Sequence, residues 1–491
     1  MATISATDAA LVWFRRDLRL ADNPALHAAV QTGRPLILVF IDQRDRALGS
    51  APGEAADWWL QGSLTRLAQD MARRGGQLTL LRGDPAELIP ELARQHGVAE
   101  AFWNHSGEPD INARDRVIAA SLQGAGTQPH ALAGTNLINP LALLTGAGTP
   151  YRVFGAFWRA ALRDLAPGTA LPAPERLPMA AGQPAGAALR DWVLRPSNPD
   201  WACGLDAEWQ PGEAGAADRL DRFLADALHD YADGRDRPDK PGTSMLSPHL
   251  GFGEISPRQI WHSVQTQLAS GTGFQAGERF LAEIGWREFA YYLLYHFDDL
   301  RTANFNREFD HFPWRRDAAG LAAWKSGQTG IPMVDAGMRQ LWATGWVHNR
   351  VRMVCASFLV KHLRCDWRDG MAWFEHTLVD ADRAVNAASW QWVAGSGADA
   401  APYFRIFNPI RQGERFDPEG RYVQKWVPEL AALPVRWIHQ PWKAPAEIRQ
   451  SAGLKLGAGY PFPICDLATG RDAALSAYKE MKEGSANAPS A

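Results

Sequence analysis

The feature that most constrains the fold is a change of hydrophobic period part-way along the chain. In the first third, short uncharged runs rich in strand formers (ALVWF before Arg15, LILVFI around Val39, LTLL around Leu80 and VAEAFWN from Val98) alternate with amphipathic stretches. Such runs suit strands buried on both faces of a parallel sheet. The stretches Glu54 to Arg73, Pro85 to Gln95 and Ile111 to Leu122 read as helices between them. Strand alternating with helix predicts a doubly wound α/β sheet. Beyond Leu205 the period becomes helical, as in AADRLDRFLADALHDYA, ERFLAEIGWREFAYYLLYHF, VDAGMRQLWATGW and HNRVRMVCASFLVKHL, with Gly345 and Gly370 at expected helix ends. An all-α second half follows. From Thr135 to Cys203 the text is rich in Pro, Gly and Ala, the composition of a connector lying over the surface more than of an element. The expected organisation is an α/β domain over 1–134, a linker over 135–205 and a helical domain over 206–491.

With 491 residues, 46% of them hydrophobic, the chain has core material for more than one domain. It shows no signal-peptide pattern and no apolar run near the ~20 residues of a membrane span. A soluble, cytoplasmic protein without a membrane partner is expected. Cys203, Cys355, Cys365 and Cys465 lie far apart and form no C-x-x-C pair, so neither zinc nor iron-sulfur is signalled, and no metal is assigned. A net charge of -3 excludes a globally basic nucleic-acid coat but leaves room for a local basic groove. After the first strand, where a dinucleotide fingerprint G-x-G-x-x-G would stand, the chain reads LVWFRRDLRLADNPAL.

Several constellations admit both a chemical and a plain structural reading. PGTSMLSPHLGFG, from Pro241 to Gly253, offers hydroxyls and open backbone N-H groups that can wrap a diphosphate, or is simply a turn before a helix near Ser256. Glu283, Trp286 and Arg287 share one helical face, as a site or as an ordinary Glu-Arg pair beside a core indole. Asn349, Arg352 and Met353 align likewise, with Arg350 offset toward another face, and a methionine at this spacing is commonly core. Asp380 and Asp382 precede Asn386, Trp390 and Trp392, and loop aspartates commonly cap helices. The chain has 21 Trp against 20 Phe and 9 Tyr, with nine of the tryptophans between Trp286 and Trp392. That density fits stacking or redox work as well as core filling.

Taken together, LVWFRRDLRLADNPAL, PGTSMLSPHLGFGEISPRQ, WREF, GIPMVDAGMRQLWATGWVHNRVRMV and SWQWVAGSGADAAPYFRIFNP closely resemble the DNA photolyase and cryptochrome family, over about Leu11 to Tyr478. WREFAYYLLYHF and VNAASWQWVAGSGADAAPYFRIFNP look most like its third class of cyclobutane pyrimidine dimer photolyases. The resemblance implies FAD held in the helical domain. Tyr231, Thr243, Ser244, Met245, Leu246 and Ser247 would line the phosphate end, with Arg287, Asn349, Arg352, Asp380 and Asp382 around ribose, adenine and ring. Asn386 would face the ring's redox-active nitrogen. It further implies that Glu283, Trp286 and Met353 meet the flipped lesion, that Trp390, Trp367 and Trp314 reduce the resting flavin in that inner-to-outer order, and that Arg235, Arg350 and Arg405 bind UV-damaged DNA.

Met353 stands where relatives acting on the (6-4) photoproduct place a histidine acid, and a thioether cannot perform that proton transfer. Cyclobutane dimers are therefore the expected substrate. An antenna chromophore is expected in the α/β domain. The folate-contacting Asn-Glu pair of first-class enzymes falls here at Asp110 and Ile111, so those contacts do not carry over. Methenyltetrahydrofolate in another pose is expected, with a deazaflavin as the alternative. The main rival is a cryptochrome, a photoreceptor without repair. It is opposed by the amide of Asn386, where plant receptors carry an acid, and by a chain that leaves no room for a signalling tail. A monomer without an obligate protein partner, nucleoid-associated when on DNA, completes the expectation.

Overall fold

The computed structural model describes residues 8–43, 53–196, 198–269, 274–400 and 405–486. The four apolar runs form β1 (Ala9–Phe14), β2 (Leu36–Asp42), β3 (Leu78–Arg82) and β4 (Val98–Asn104), which join β5 (Gln128–Leu132) in a parallel sheet of order β3-β2-β1-β4-β5. Successive side chains point to opposite faces. Ala10, Val12 and Phe14 therefore pack with α1 (Pro24–Gln31) and α2 (Glu54–Ala72), whereas Leu11 and Trp13 pack with α3 (Pro85–Gln95) and α4 (Pro109–Gly124). Cover on both faces is why these strands read as unbroken apolar runs.

QPHAL gives no such run, and β5 is absent from the sequence expectation. It is an edge strand with one neighbour, and Pro129, opposite Ala101, lacks the N-H that a central strand would need. The connector also differs from expectation, since it carries α5 (Phe154–Asp164). Phe154, Phe157 and Trp158 have helical spacing, diluted in the sequence by the Pro and Gly around them. Phe157 is buried in the core of the helical domain.

That core unites the Phe274–His296, Pro332–Thr344, Asn349–Ser357, Trp367–Thr377 and Arg383–Ala394 helices. Gly345 ends one of them at φ +65, as expected. Gly370 ends none. It lies inside the Trp367–Thr377 helix, where a Cβ would come within 2.1 Å of the Trp390 ring. Among the described residues, no helix is long and apolar enough to cross a membrane.

The RRDLRLADNPAL segment ties the α/β layer to the helices. Arg19 is buried and donates to the carbonyls of Asp22 (2.8 Å), Gly134 (2.8 Å) and Gly253 (2.9 Å). The Glu213 carboxylate accepts from the Leu20 and Ala21 amides at 2.8 and 3.0 Å. A second tie is the buried Glu288, which accepts from the connector amides of Leu137 (2.8 Å) and Ile138 (3.0 Å) and from Arg287 (3.1 Å).

Arg19→Met would leave three carbonyls without their donor and remove the buried cation beside Asp17 and Glu213, while Asp22 keeps its pairing with Arg258 at 2.9 Å. The expected loss is about 3–5 kcal/mol, read as a lower denaturant midpoint. An unchanged midpoint would show that the two layers are held together elsewhere.

Candidate functional site

A cavity of about 540 Å³ opens in the helical domain. The Phe274–His296 helix presents Glu283, Trp286 and Arg287 to it from one face. The Asn349–Ser357 helix presents Asn349, Arg352 and Met353, and Arg350, read as offset in the sequence, reaches the cavity too. Asp380 and Asp382 come from the turn before the Arg383–Ala394 helix, which adds Asn386 and Trp390. Tyr231, Arg235 and the run Thr243 to Ser247 close the remaining side. The run reads as a turn only in part: Met245 takes φ +50, a conformation uncommon for a side chain of this size, and Ser247 already opens the Ser247–Phe252 helix.

Three of the sequence-derived site residues stand apart from the cavity wall. Trp390 lines the cavity, is buried, and meets Phe374 (5.0 Å) and Trp324 (6.1 Å) edge-on. Trp367 lies behind the wall, fully buried, with its indole N-H donating to Asn304 Oδ1 at 2.9 Å. Trp314 is half-buried against Phe312. Burial thus falls from Trp390 and Trp367 to Trp314. Arg405 is exposed and sits over the Trp392 ring at 5.8 Å; Trp392 lines the cavity, so Arg405 lies one ring outside it.

Carboxylates hold the cavity's cations in place. Arg235 donates to Glu283, so two residues read separately in the sequence form an ion pair. Arg350 binds Asp236 at 2.7 Å and lies over the Phe416 ring at 4.5 Å. Arg352 bridges Asp380 (2.8 Å) and the Val347 carbonyl (2.7 Å). Asp382 serves both readings given to it. It caps its helix by accepting from the Ala384 and Val385 amides, and it lines the cavity. Its other oxygen accepts from the Tyr291 hydroxyl at 2.6 Å. Asn386 Nδ2 donates to the Met371 carbonyl at 3.1 Å, which fixes the plane of the amide. Burial pushes the Tyr231 phenol up, above its ordinary pKa.

The sequence reading missed Glu288 and Tyr291 as site-supporting residues and gave Trp392 no role beyond its place in a cluster. Tyr291 lies one turn beyond Arg287 on the face of Glu283, with Arg287 over its ring at 4.7 Å, whereas Glu288 sits one step around the helix. Two atoms at the cavity remain unmatched. Asp380 Oδ1 and Arg287 Nε are buried without a hydrogen-bond partner, one an acceptor and the other a donor. Buried polar atoms in folded proteins are rarely left so, which marks them as places where a ligand completes the bonding.

A model of the FAD binding domain of DNA photolyase matches residues 280–480, and one of DNA photolyase matches residues 10–175. A deoxyribodipyrimidine photo-lyase of Agrobacterium fabrum is 47% identical over 473 residues, 96% of this chain and 98% of the relative. The chain belongs to the DNA photolyase and cryptochrome family. Cryptochrome-2 of Arabidopsis thaliana is a more distant relative, 36% identical over 488 residues, 96% of this chain and 79% of that protein. The solved structure of a bacterial class III photolyase from Agrobacterium tumefaciens superposes with a TM-score of 0.94 at 46% identity, covering 98% of this chain and 99% of that one.

The helical domain of this photolyase-family chain is accordingly an FAD-binding domain, and the cavity fits that cofactor on its own chemistry. Thr243, Ser244 and Ser247 supply hydroxyls at one end, and the unmatched Asp380 Oδ1 and Arg287 Nε supply an acceptor and a donor.

His348 sits just behind this wall. It caps the Asn349–Ser357 helix by accepting the Arg350 amide, and burial lowers its pKa from 6.5 to about 4. The unfolded chain takes up this proton below about pH 6.5 and the fold does not until about pH 4, so stability falls as pH drops through that window. The shift corresponds to roughly 3 kcal/mol. His348→Asn, which keeps a capping acceptor, should flatten the acid limb of a plot of unfolding midpoint against pH. An unaltered slope would assign the acid loss to other groups.

Proposed function

We propose that this protein is a light-driven DNA repair enzyme, a deoxyribodipyrimidine photo-lyase that splits cyclobutane pyrimidine dimers. The observation that carries the reading is the convergence of Glu283, Trp286, Met353 and Asn386 on one cavity of an FAD-binding domain. Bound there, reduced FAD supplies the photochemistry, lending an electron to the dimer and taking it back after the ring opens.

This chain's residues bind and orient. Tyr231, Thr243, Ser244, Met245, Leu246 and Ser247 hold the phosphate end of the cofactor. Arg287, Asn349, Arg352, Asp380 and Asp382 hold its ribose, adenine and ring, and Asn386 offers a neutral amide to the ring. Damaged DNA is gripped by its phosphates at Arg235, Arg350 and Arg405, and the dimer leaves the stack to enter the cavity. The Arg235-Glu283 pair then opens, with Arg235 turning to phosphate and Glu283 to the carbonyl edge of the dimer, where it stabilises the added charge. Trp286 packs on the pyrimidine face and Met353 fills the wall without moving a proton. Trp390, Trp367 and Trp314 form the line that reduces resting cofactor, consistent with their graded burial.

The antenna we propose is methenyltetrahydrofolate, with a deazaflavin as the alternative. The pose differs from that of first-class enzymes, because Asp110 here faces Arg383 at 3.4 Å in a contact between domains. The position of an absorbance band additional to those of the flavin distinguishes the two, nearer the ultraviolet for methenyltetrahydrofolate than for a deazaflavin.

The test is repair of oligonucleotides carrying one defined lesion under blue light. Loss of cyclobutane dimers with (6-4) lesions untouched is expected, and flavin photochemistry without dimer loss would favour the photoreceptor reading. Glu283→Ala removes a charge-assisted hydrogen bond of about 1.5–3 kcal/mol, so repair should fall roughly ten-fold or more. Full-rate repair would displace Glu283 from the lesion. Trp314→Phe should block light-driven reduction of oxidised FAD while leaving repair intact once the cofactor is reduced chemically. Equal loss of both would return Trp314 to a packing role.

A further inference from the structure

Trp286 has two faces, and the fold has already covered one. The Phe154 ring lies against its indole with centroids 3.9 Å apart and planes 11° from parallel. Phe154 does not line the cavity, whereas Trp286 does. The indole can therefore offer the cavity only its opposite face and its edge. Phe289, one helical turn on, meets Trp286 edge-on at 6.0 Å and Phe154 edge-on at 6.0 Å, which closes the third side of the stack.

Phe154 is itself held. It is the first residue of α5, where the amide has no helical partner, and that amide donates to Asp399 Oδ2 at 3.3 Å. Asp399 takes φ +53. Its carbonyl accepts the indole N-H of Trp392 at 3.1 Å, and Trp392 is the other half-buried tryptophan of the cavity wall. One loop residue thus links two cavity indoles, Trp392 through its carbonyl and Trp286 through its carboxylate and Phe154.

We infer that Phe154 and Asp399 are positioning residues that fix the planes of Trp286 and Trp392 before a flipped dimer arrives. The inference rests on the photolyase reading above and adds to it. Free rotation of Trp286 about its side-chain bonds would have to be frozen on binding, and a ring stacked on its rear face removes that cost in advance. The device acts on lesion recognition and leaves the step that follows unchanged. Its signature is weaker binding of the dimer with an intact repair rate at saturation.

Affinity for duplexes with and without a single dimer, repair rate at saturation and FAD content should be measured for Phe154→Leu, Phe154→Tyr and Asp399→Gly. Phe154→Leu keeps much of the volume but no ring plane. It should lose about ten-fold in dimer affinity, equal to about 1.4 kcal/mol, with affinity for undamaged DNA, saturated rate and FAD content unchanged. Phe154→Tyr, which keeps the ring, should restore dimer affinity. Asp399→Gly suits the positive φ and removes only the carboxylate; it should show a smaller loss in the same direction and keeps the test open if the leucine variant does not fold. Wild-type dimer affinity in both Phe154→Leu and Asp399→Gly, or a tyrosine variant as weak as the leucine one, would overturn the inference. A wild-type protein that does not prefer dimer-containing DNA would instead reject the functional reading, so the two failures are distinct.

Discussion

Arg19 is a buried cation on which three chain segments converge: the loop after β1, the start of the connector at Gly134 and the turn at Gly253. A guanidinium in the interior is costly unless nearly every N-H finds a partner, and here the partners are backbone carbonyls that no side-chain change can relocate. The α/β layer therefore docks in one register. The turn at Gly253 closes the stretch that begins with Thr243 to Ser247, so one side of the cavity inherits its position from the sheet. A dinucleotide fingerprint would have placed glycines and a phosphate in this loop. In this chain the same place in the fold serves as a joint.

The electrostatics of the cavity mouth follow the same economy. Arg235 is paired with Glu283 and Arg350 with Asp236, and just outside Arg237 is paired with Asp239 and Glu419. These pairs reconcile a net charge of -3 with binding to a polyanion. Under the proposed function, these carboxylates would hold the long side chains ready for phosphates and keep the unloaded groove from attracting every passing nucleic acid. On that reading dimer binding would exchange one set of partners for another, and affinity would reflect a difference between two ion-pair networks.

The fold was legible wherever burial was symmetric. Four strands announced themselves as apolar runs, the three central ones most plainly, and the long helices by their period. QPHAL stayed hidden because its Gln, Pro and His break the apolar run at positions that are half-buried or exposed, whereas β3 at the other edge keeps LTLL, and α5 because its aromatic triplet is short and flanked by helix breakers. Gly370 misled for the opposite reason, since glycine after a helical run suggests an end when its role is steric. At the site, the face of Glu283, Trp286 and Arg287 could be read from spacing, but its use could not, and the resemblance to a family supplied the roles. What neither spacing nor resemblance revealed were contacts between segments distant in sequence, such as Tyr291 with Asp382 or Phe154 with Trp286. Those depend on three-dimensional convergence, which a one-dimensional period does not encode.

The close packing at Gly370 has a consequence for anyone altering this protein. The space is filled by the ring of Trp390, which also forms part of the cavity wall. Positions 370 and 390 therefore behave as a single site with one volume to share. A library that varies residue 390 also varies the packing at position 370, and a smaller ring at 390 would leave space beside Gly370 for a side chain there. Pairing each reduction at 390 with an enlargement at 370 would explore electronic variety without emptying the shared volume.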